Sequence, residues 1–442
     1  MLNIPEAVKQ LFKSGESQNY SMSINVGTTK YFTTTLYTIP EENIKGESAE
    51  LRETLFSGNN PKFGTIQTSQ FTVSLLNFNL LLKGKYIRVF LHYGPALNII
   101  PYGEFYVESV EKTPYSSETK LICYDYSYFL NVQAANRIRR IPTATANTAI
   151  SMCEAIFDKL HLQYTPFTSS TTYNYVTKIP DNTTYGNMLE WMGELYGGWW
   201  KPDRYGVFRF VQIGSSASPE SIDTFRPKAG DHETSQIPDF TGIIFNSLLR
   251  LDETKEQDYL YGSDDGLVYT MDKSNPYIVN YNESQLNTLG QTLLSMYNSL
   301  KYIPNKIKID GRPYLECGDW YTYLTDDDTE DQIRITAPIV QSIISGIGAL
   351  NQTLQAVGGT EYSQSSERTV IRDTQTIVST ESSGYYLSAL ALDENTKTIT
   401  PTYSNGTTTI SNTFTFTEDT SGNITSIHNE KLDIDIPVTW VN

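Results

Sequence analysis

Two glutamates, Glu190 and Glu194, stand one helical turn apart in a segment with helical spacing. Paired carboxylates of this kind can hydrolyse glycosides when one donates a proton and the other attacks or activates water. Two acids on the polar face of a helix are more simply a solvated surface. The run Asp326-Asp327-Asp328-Thr329-Glu330-Asp331 offers oxygen ligands of the type calcium takes. It lacks the twelve-residue loop with its central glycine and final glutamate, so a hairpin tip is the expectation. Asp264-Asp265-Gly266 reads as a turn rather than a metal site. The 4 histidines, His92, His161, His232 and His428, show no metal-ligand spacing and no HExxH pattern. Neither a GxSxG elbow nor a GxxxxGK[ST] loop occurs. Cys123, Cys153 and Cys317 are odd in number and far apart, which suits buried free thiols. Trp191, Trp199 and Trp200, together with the 31 tyrosines, could stack sugars, but such rings more often fill cores and subunit interfaces. The basic cluster from Arg137 to Arg140 is too short to grip nucleic acid. No catalytic, cofactor-binding or metal residue is therefore assigned, no cofactor is expected, and the chain is not expected to be an enzyme.

Any such residue would be positioned by strands. Residues 59–130 carry the clearest pattern. Phe71, Val73 and Leu75 alternate with Thr72, Ser74 and Leu76; Ile87, Val89 and Leu91 alternate with Tyr86, Arg88 and Phe90. A turn is expected at Pro101-Tyr102-Gly103, then strands over 104–108 and 120–124, with Asp125 capping a helical turn. Period-two alternation between Gly and Pro breaks marks antiparallel strands, and apolar residues on both faces suggest a closed or stacked sheet.

Around this core, residues 1–20 predict a short amphipathic helix with Pro5 near its start, Ala7, Val8, Leu11 and Phe12 on one face, and Gly15 at its end. A strand or hairpin is expected near Asn25-Val26-Gly27, and 41–60 reads as a long loop. Spacing predicts helices over 145–160, 183–196 and 285–300. The second stops at Gly197-Gly198 and leads to a hairpin turning at Asp203-Arg204-Tyr205-Gly206. Residues 214–240 read as loop, and 240–356 return to strands: near 243–251, 259–261, 267–269, 306–309, 320–324, 332–336 and 338–344. Thr409 to Phe416 alternates, 419–423 turns, and 433–441 ends as a strand. The expected fold is α+β, mainly β. Its domains are a first β-barrel over 1–135, an α+β insert over 136–240, a second β domain over 241–357, a linker or stalk over 358–384 and a small β module over 385–442.

A net charge of −17 argues against gripping a phosphate backbone. It suits a conduit that nucleic acid passes without sticking. The segment MLNIPEAVKQ is not a charged-then-apolar leader, and no stretch reaches the ~18 apolar residues of a spanning helix. A soluble, unprocessed protein made in a cytoplasm is the expectation.

Several of these segments resemble tailed-phage baseplate hub and tail-tip hub proteins. Gly103-Glu104-Phe105-Tyr106-Val107 followed by Lys120-Leu121-Ile122-Cys123-Tyr124-Asp125 is similar to a strand pair of that family. Thr183-Thr184-Tyr185-Gly186-Asn187-Met188-Leu189, Gly197-Gly198 and Asp203-Arg204-Tyr205-Gly206-Val207-Phe208 continue the likeness. Pro313-Tyr314-Leu315-Glu316-Cys317-Gly318-Asp319 resembles the family's step into a strand. The likeness spans about residues 20–357. It implies a homotrimer whose subunits each carry two tube-like antiparallel β-barrels. Such a trimer would adapt a sixfold tail tube or distal tail ring to a threefold spike or fibre, lining a channel for DNA or a tape-measure protein. The implied location is the tail of a virion or phage-tail-like particle assembled in the host cytoplasm, with no membrane insertion. Family members often carry a downstream peptidoglycan-cleaving domain, for which no catalytic set is recognisable here. Two other readings remain open: a binder of host glycans through 385–442, and a cell-wall hydrolase.

Overall fold

In the computed structural model, alternation becomes sheet wherever one face meets the core. The described residues are 2, 4–13, 20–56, 58, 60–78, 80–93, 98–112, 117–131, 148–174, 183–212, 219–222, 229–233, 235–245, 259–271, 275–278, 281–325, 333–347 and 349–357, with the strands of 386–437. They fall into two compact units, Met1–Ser363 and Gln364–Asn442.

The first unit begins with helix α1 (Glu6–Lys13). Strands β1 (Tyr20–Gly27), β2 (Tyr37–Ile39), β3 (Glu50–Thr54), β4 (Gln70–Leu76), β5 (Tyr86–Tyr93), β6 (Asn98–Lys112) and β7 (Glu118–Tyr124) follow. Next come helices α2 (Ala149–Leu160) and α3 (Tyr185–Tyr196) and strands β8 (Trp199–Pro202), β9 (Phe208–Val211), β10 (Glu220–Ser221) and β11 (Ala229–His232). Strands β12 (Phe240–Phe245), β13 (Tyr259–Gly262) and β14 (Leu267–Thr270) precede helix α4 (Glu283–Tyr297). The unit closes with β15 (Asn305–Asp310), β16 (Trp320–Leu324), β17 (Arg334–Pro338), β18 (Gln341–Ser345) and β19 (Asn351–Ala356).

The architecture is mainly β with few helices, organised by one 11-stranded antiparallel sheet ordered β11-β15-β19-β18-β3-β4-β7-β6-β5-β1-β2. Side chains that alternate inward are sealed: Ile87, Val89 and Leu91 on β5, Phe71, Val73 and Leu75 on β4, and Ile307 and Leu354 on β15 and β19 are fully buried. Each such burial contributes ~1.5–3 kcal/mol relative to exposure. The sequence suggests separate β domains over 1–135, with strands β1–β7, and over 241–357, with β15, β18 and β19. In the described pairings they meet in one sheet, because β3 bonds to β4 on one side and β18 on the other.

Strand β3 corrects the reading of 41–60 as a loop. Two 3-10 turns, Glu41–Asn43 and Gly46–Ser48, lead into a central strand with Leu51 and Glu53 buried. Pro101-Tyr102-Gly103 is likewise no turn. It lies inside β6, where a bulge shifts the register between Val89 and Phe90 of β5. Asn25 and Val26 are in β1, and its hairpin with β2 turns later, Ile24 facing Ile39. The expected loop 214–240 holds the edge strand β11, paired with β15, and the short β10, parallel to β16.

The helices start and stop where local chemistry says they should. Thr148, Thr184 and Asn282 each accept a backbone hydrogen bond from the third helical residue, and Ser151, Asn187 and Gln285 reciprocate. Gly197 ends α3 in the left-handed conformation, φ +62°. On α1, Val8 and Phe12 are buried, the Phe12 ring stacking on Tyr20 at 5.7 Å. Among the described residues no helix is long and apolar enough to cross a membrane.

The second unit is a separate antiparallel sheet of β20 (Tyr386–Asp393), β21 (Thr398–Ser404), β22 (Thr409–Ser411), β23 (Phe414–Glu418), β24 (Ile424–Asn429) and β25 (Ile434–Pro437). Strand β22 pairs with β21, which also bonds to β23. The turn expected at 419–423 and the stalk at 358–384 lie outside the described residues.

Candidate functional site

The densest polar chemistry lies where the β8–β9 hairpin meets the large sheet. Asp203 Oδ1 accepts from the backbone N–H groups of Tyr205 and Val207, at 2.8 and 3.0 Å, and fixes the turn. That turn sends Arg204 inward, where it is 3% exposed. Its Nη2 donates to Glu53 Oε2 on β3 at 2.7 Å and to the Leu315 carbonyl at 3.3 Å. Its Nη1 donates to the Tyr102 carbonyl in the β6 bulge at 3.2 Å. A single guanidinium therefore ties the hairpin to the front strands and to the segment entering β16. A planar fork with several fixed donors suits this task better than a lysine would.

Lys201 on β8 lies beside it. Its Nζ donates to Ser69 Oγ at 2.8 Å and sits 3.5 Å from Glu53 Oε1. Burial acts to lower its pKa, but the carboxylates of Glu53 and Asp125 outweigh that and hold the ammonium above its ordinary value. Asp125, expected as a cap, accepts from Ser127 N at 3.0 Å and from Ser69 N at 2.9 Å. Burial raises its pKa, opposed by Lys201 and those hydrogen bonds. On the next strands, Glu104 accepts from Arg88 Nε at 2.6 Å and from the Tyr126 hydroxyl at 2.8 Å. Arg209 pairs with Glu316 at 2.7 Å. A second clasp holds α1: Glu220 lies 2.9 Å from Lys13 Nζ and 3.4 Å from Arg312 Nη1, and accepts from the Tyr314 hydroxyl at 2.8 Å.

The cavity at this junction, lined by Glu53, Tyr102, Glu104, Asp125, Asp203 and Arg204 among others, measures about 10 Å³. That is room for one water at most, and for no organic substrate. The charges face each other and the backbone. Their arrangement locks segments together.

The residues singled out for chemistry are dispersed and occupied. Glu190 accepts from Ile66 N at 3.2 Å and from Asn187 Nδ2 at 3.1 Å. Glu194 is 2% exposed and accepts from the Tyr269 hydroxyl and Asn275 Nδ2, each at 3.4 Å, bonding α3 to the region around β14. Trp191, Trp199 and Trp200 are core residues. The three thiols are buried, and burial pushes each pKa up. His92 shares a 2.7 Å hydrogen bond with Ser23, His161 ends α2, and His232 and His428 sit in β11 and β24. Asp264-Asp265-Gly266 is the turn between β13 and β14, with Asp265 N bonded to Ser263 Oγ at 3.3 Å. Among the described residues no group of His, Cys, Asp or Glu is placed to hold a metal ion. The runs 326–331 and 137–140 lie outside them. Sequence reasoning misses Arg204, Lys201, Glu53 and Glu104 as a cluster. The only signal is charge inside otherwise strand-like or turn-like stretches.

No family model matches the chain, and no curated protein matches it. Solved structures do. A tail protein from Neisseria meningitidis superposes with a TM-score of 0.50 and 12% identity, over 76% of this chain and 96% of that one. The 43 kDa tail protein of prophage MuSo2 from Shewanella oneidensis gives 0.47 and 10%, over 76% and 98%. A prophage tail protein from Listeria monocytogenes gives 0.43 and 12%, over 76% and 94%. The Neisseria likeness is one of fold, and this chain shares that tail protein's architecture.

Proposed function

We propose that this chain is a structural tail protein of a phage or phage-tail-like particle, and within the tail its hub. In this reading three copies form a ring. Each copy contributes two tube-like β units, so the ring offers six to a tail tube or distal ring protein and three to a spike or fibre. DNA or a tape-measure protein would pass an acidic bore without sticking, in keeping with the net charge of −17. The subunit performs no chemistry of its own.

The observation that carries this reading is the fold shared with the Neisseria tail protein over nearly all of that chain. The β3–β18 seam adds physical support, since front and back strands joined in one sheet make a rigid repeat to place around an axis. Electron microscopy of the purified chain, alone and with a tube partner, tests it. A ring with a threefold axis and six similar wall elements is expected. A monomer under both conditions, or a ring without that axis, ends the proposal.

A second reading gives residues 385–442, within the unit Gln364–Asn442, contact with a host glycan. Deleting them from the full chain should then abolish retention on host cells while leaving the ring intact.

A further inference from the structure

The chain contains two Asp-Gly steps, Asp265-Gly266 and Asp310-Gly311. Such a step can rearrange without an enzyme. The glycine nitrogen attacks the γ-carboxyl carbon of the aspartic acid, and the N–H proton leaves with the carboxyl hydroxyl as water. A five-membered succinimide results. Water then adds back at one of its two carbonyls. Opening at the α-carbonyl leaves glycine joined through Cγ, which is isoaspartate: the mass is unchanged and the main chain is one methylene longer. No oxidant, reductant or cofactor takes part. Glycine favours the attack because it puts no side chain beside the nucleophile and lets the backbone turn freely.

The fold treats the two steps differently. Asp265 and Gly266 are exposed, in the bend between β13 and β14. That bend is anchored at its ends. Ser263 N donates to the Thr241 carbonyl at 2.9 Å, and the Thr241 hydroxyl lies 3.0 Å from the Ser263 carbonyl and 3.3 Å from the Leu267 carbonyl. Residues 264–266 bridge these anchors in water. Asp310-Gly311, in contrast, closes β15. Asp310 pairs with Asn351 of β19. Gly311 is buried, its nitrogen donates to the Leu350 carbonyl at 2.9 Å, and a Cβ on it would lie 2.5 Å from Leu350. There the nucleophile is engaged and walled in, and local opening must precede any attack.

We propose that Asp265-Gly266 is a site of spontaneous isoaspartate formation in the folded chain, and that the fold shields Asp310-Gly311 from the same change. The added methylene falls between β13 and β14, the two strands that flank β12. The test ages the full chain in warm neutral buffer, native and in urea. Isoaspartate is mapped on proteolytic peptides, whose retention shifts at constant mass. Mapping also keeps apart Asn405-Gly406, a labile step outside the described residues. In the native chain the product should form at 265 at least ~5-fold faster than at 310, the factor one protecting hydrogen bond supplies. In urea the two steps should react at comparable rates. Asp265→Glu requires a less favourable six-membered ring, so it should lose the product at 265 while keeping the wild-type circular dichroism and thermal midpoint. Equal native rates at the two steps overturn the proposal, as does a native 265 free of isoaspartate when the urea-unfolded chain reacts. A preference for 265 that persists unchanged in urea also overturns it, because flanking sequence and not the fold would then set the rate.

Discussion

Arg204 and Glu53 meet at 2.7 Å with their side chains 3% and 6% exposed, although one belongs to a hairpin turn and the other to an interior strand of the large sheet. Without Arg204, Glu53 keeps only Lys201, 3.5 Å away, and removing one partner of a buried ion pair costs ~3–5 kcal/mol. Arg204→Ala is therefore expected to lower stability by about that amount. The double variant Glu53→Gln/Arg204→Met should lose less than the sum of the single changes. Urea denaturation of the four proteins measures this. A loss below ~1 kcal/mol for Arg204→Ala would show that the clasp is not a structural tie.

Acid dependence should be visible at Glu104. Burial holds its pKa above the ordinary carboxylate value, with Arg88 and Tyr126 pulling back. A raised native value means that the folded chain binds this proton more tightly than the unfolded chain. Its contribution therefore favours the fold below the unfolded pKa of roughly 4.3 and is lost as pH rises through the native value. Glu104→Gln removes the titration. The stability of the variant relative to wild type should rise with pH from about 4 towards neutrality, and a flat difference would contradict the shift.

Two glycines separate backbone strain from crowding. Gly58 has φ +97° with open space where a methyl group would sit, whereas a Cβ on Gly64, φ +82°, would lie 2.1 Å from the Glu190 carbonyl of α3. Gly58→Ala should cost ~1 kcal/mol from φ alone. Gly64→Ala must push the helix away and should cost ~3 kcal/mol or more. Equal thermal midpoints for the two variants would disprove the close approach.

The loop after β1 latches onto the α2 region. The Tyr31 hydroxyl donates to Gly206 O at 2.8 Å and accepts from Gln163 N at 3.0 Å, and Lys30 Nζ donates to Leu160 O at 2.7 Å. Tyr31→Phe should destabilise by ~1–2 kcal/mol and speed amide exchange at Gln163. Unchanged exchange there would remove the latch.

The elements with strict periodicity are legible in the sequence: β4, β5, β7 and the helices, three of which start at a Thr or Asn cap. β3 is hidden because Glu50, Arg52 and Glu53 make it look like a solvated loop. Its buried Glu53 has a partner only once Arg204, far along the chain, arrives. Pro101 and Gly103 signal a turn in any local window, and only the pairing of β5 shows that they form a bulge. The Glu190 and Glu194 spacing is visible, but their backbone and tyrosine partners come from distant segments. Long-range contacts decide such sites, and no local pattern records them.

The seam between β3 and β18 joins two segments that leave the ribosome far apart in time. Residues 50–54 emerge long before 341–345, so β3 must wait with one flank open through most of synthesis. An open flank of this kind invites wrong pairing between nascent chains, and such distant pairing is slow to form. Maturation of this subunit should therefore be sensitive to translation speed and to chaperone supply.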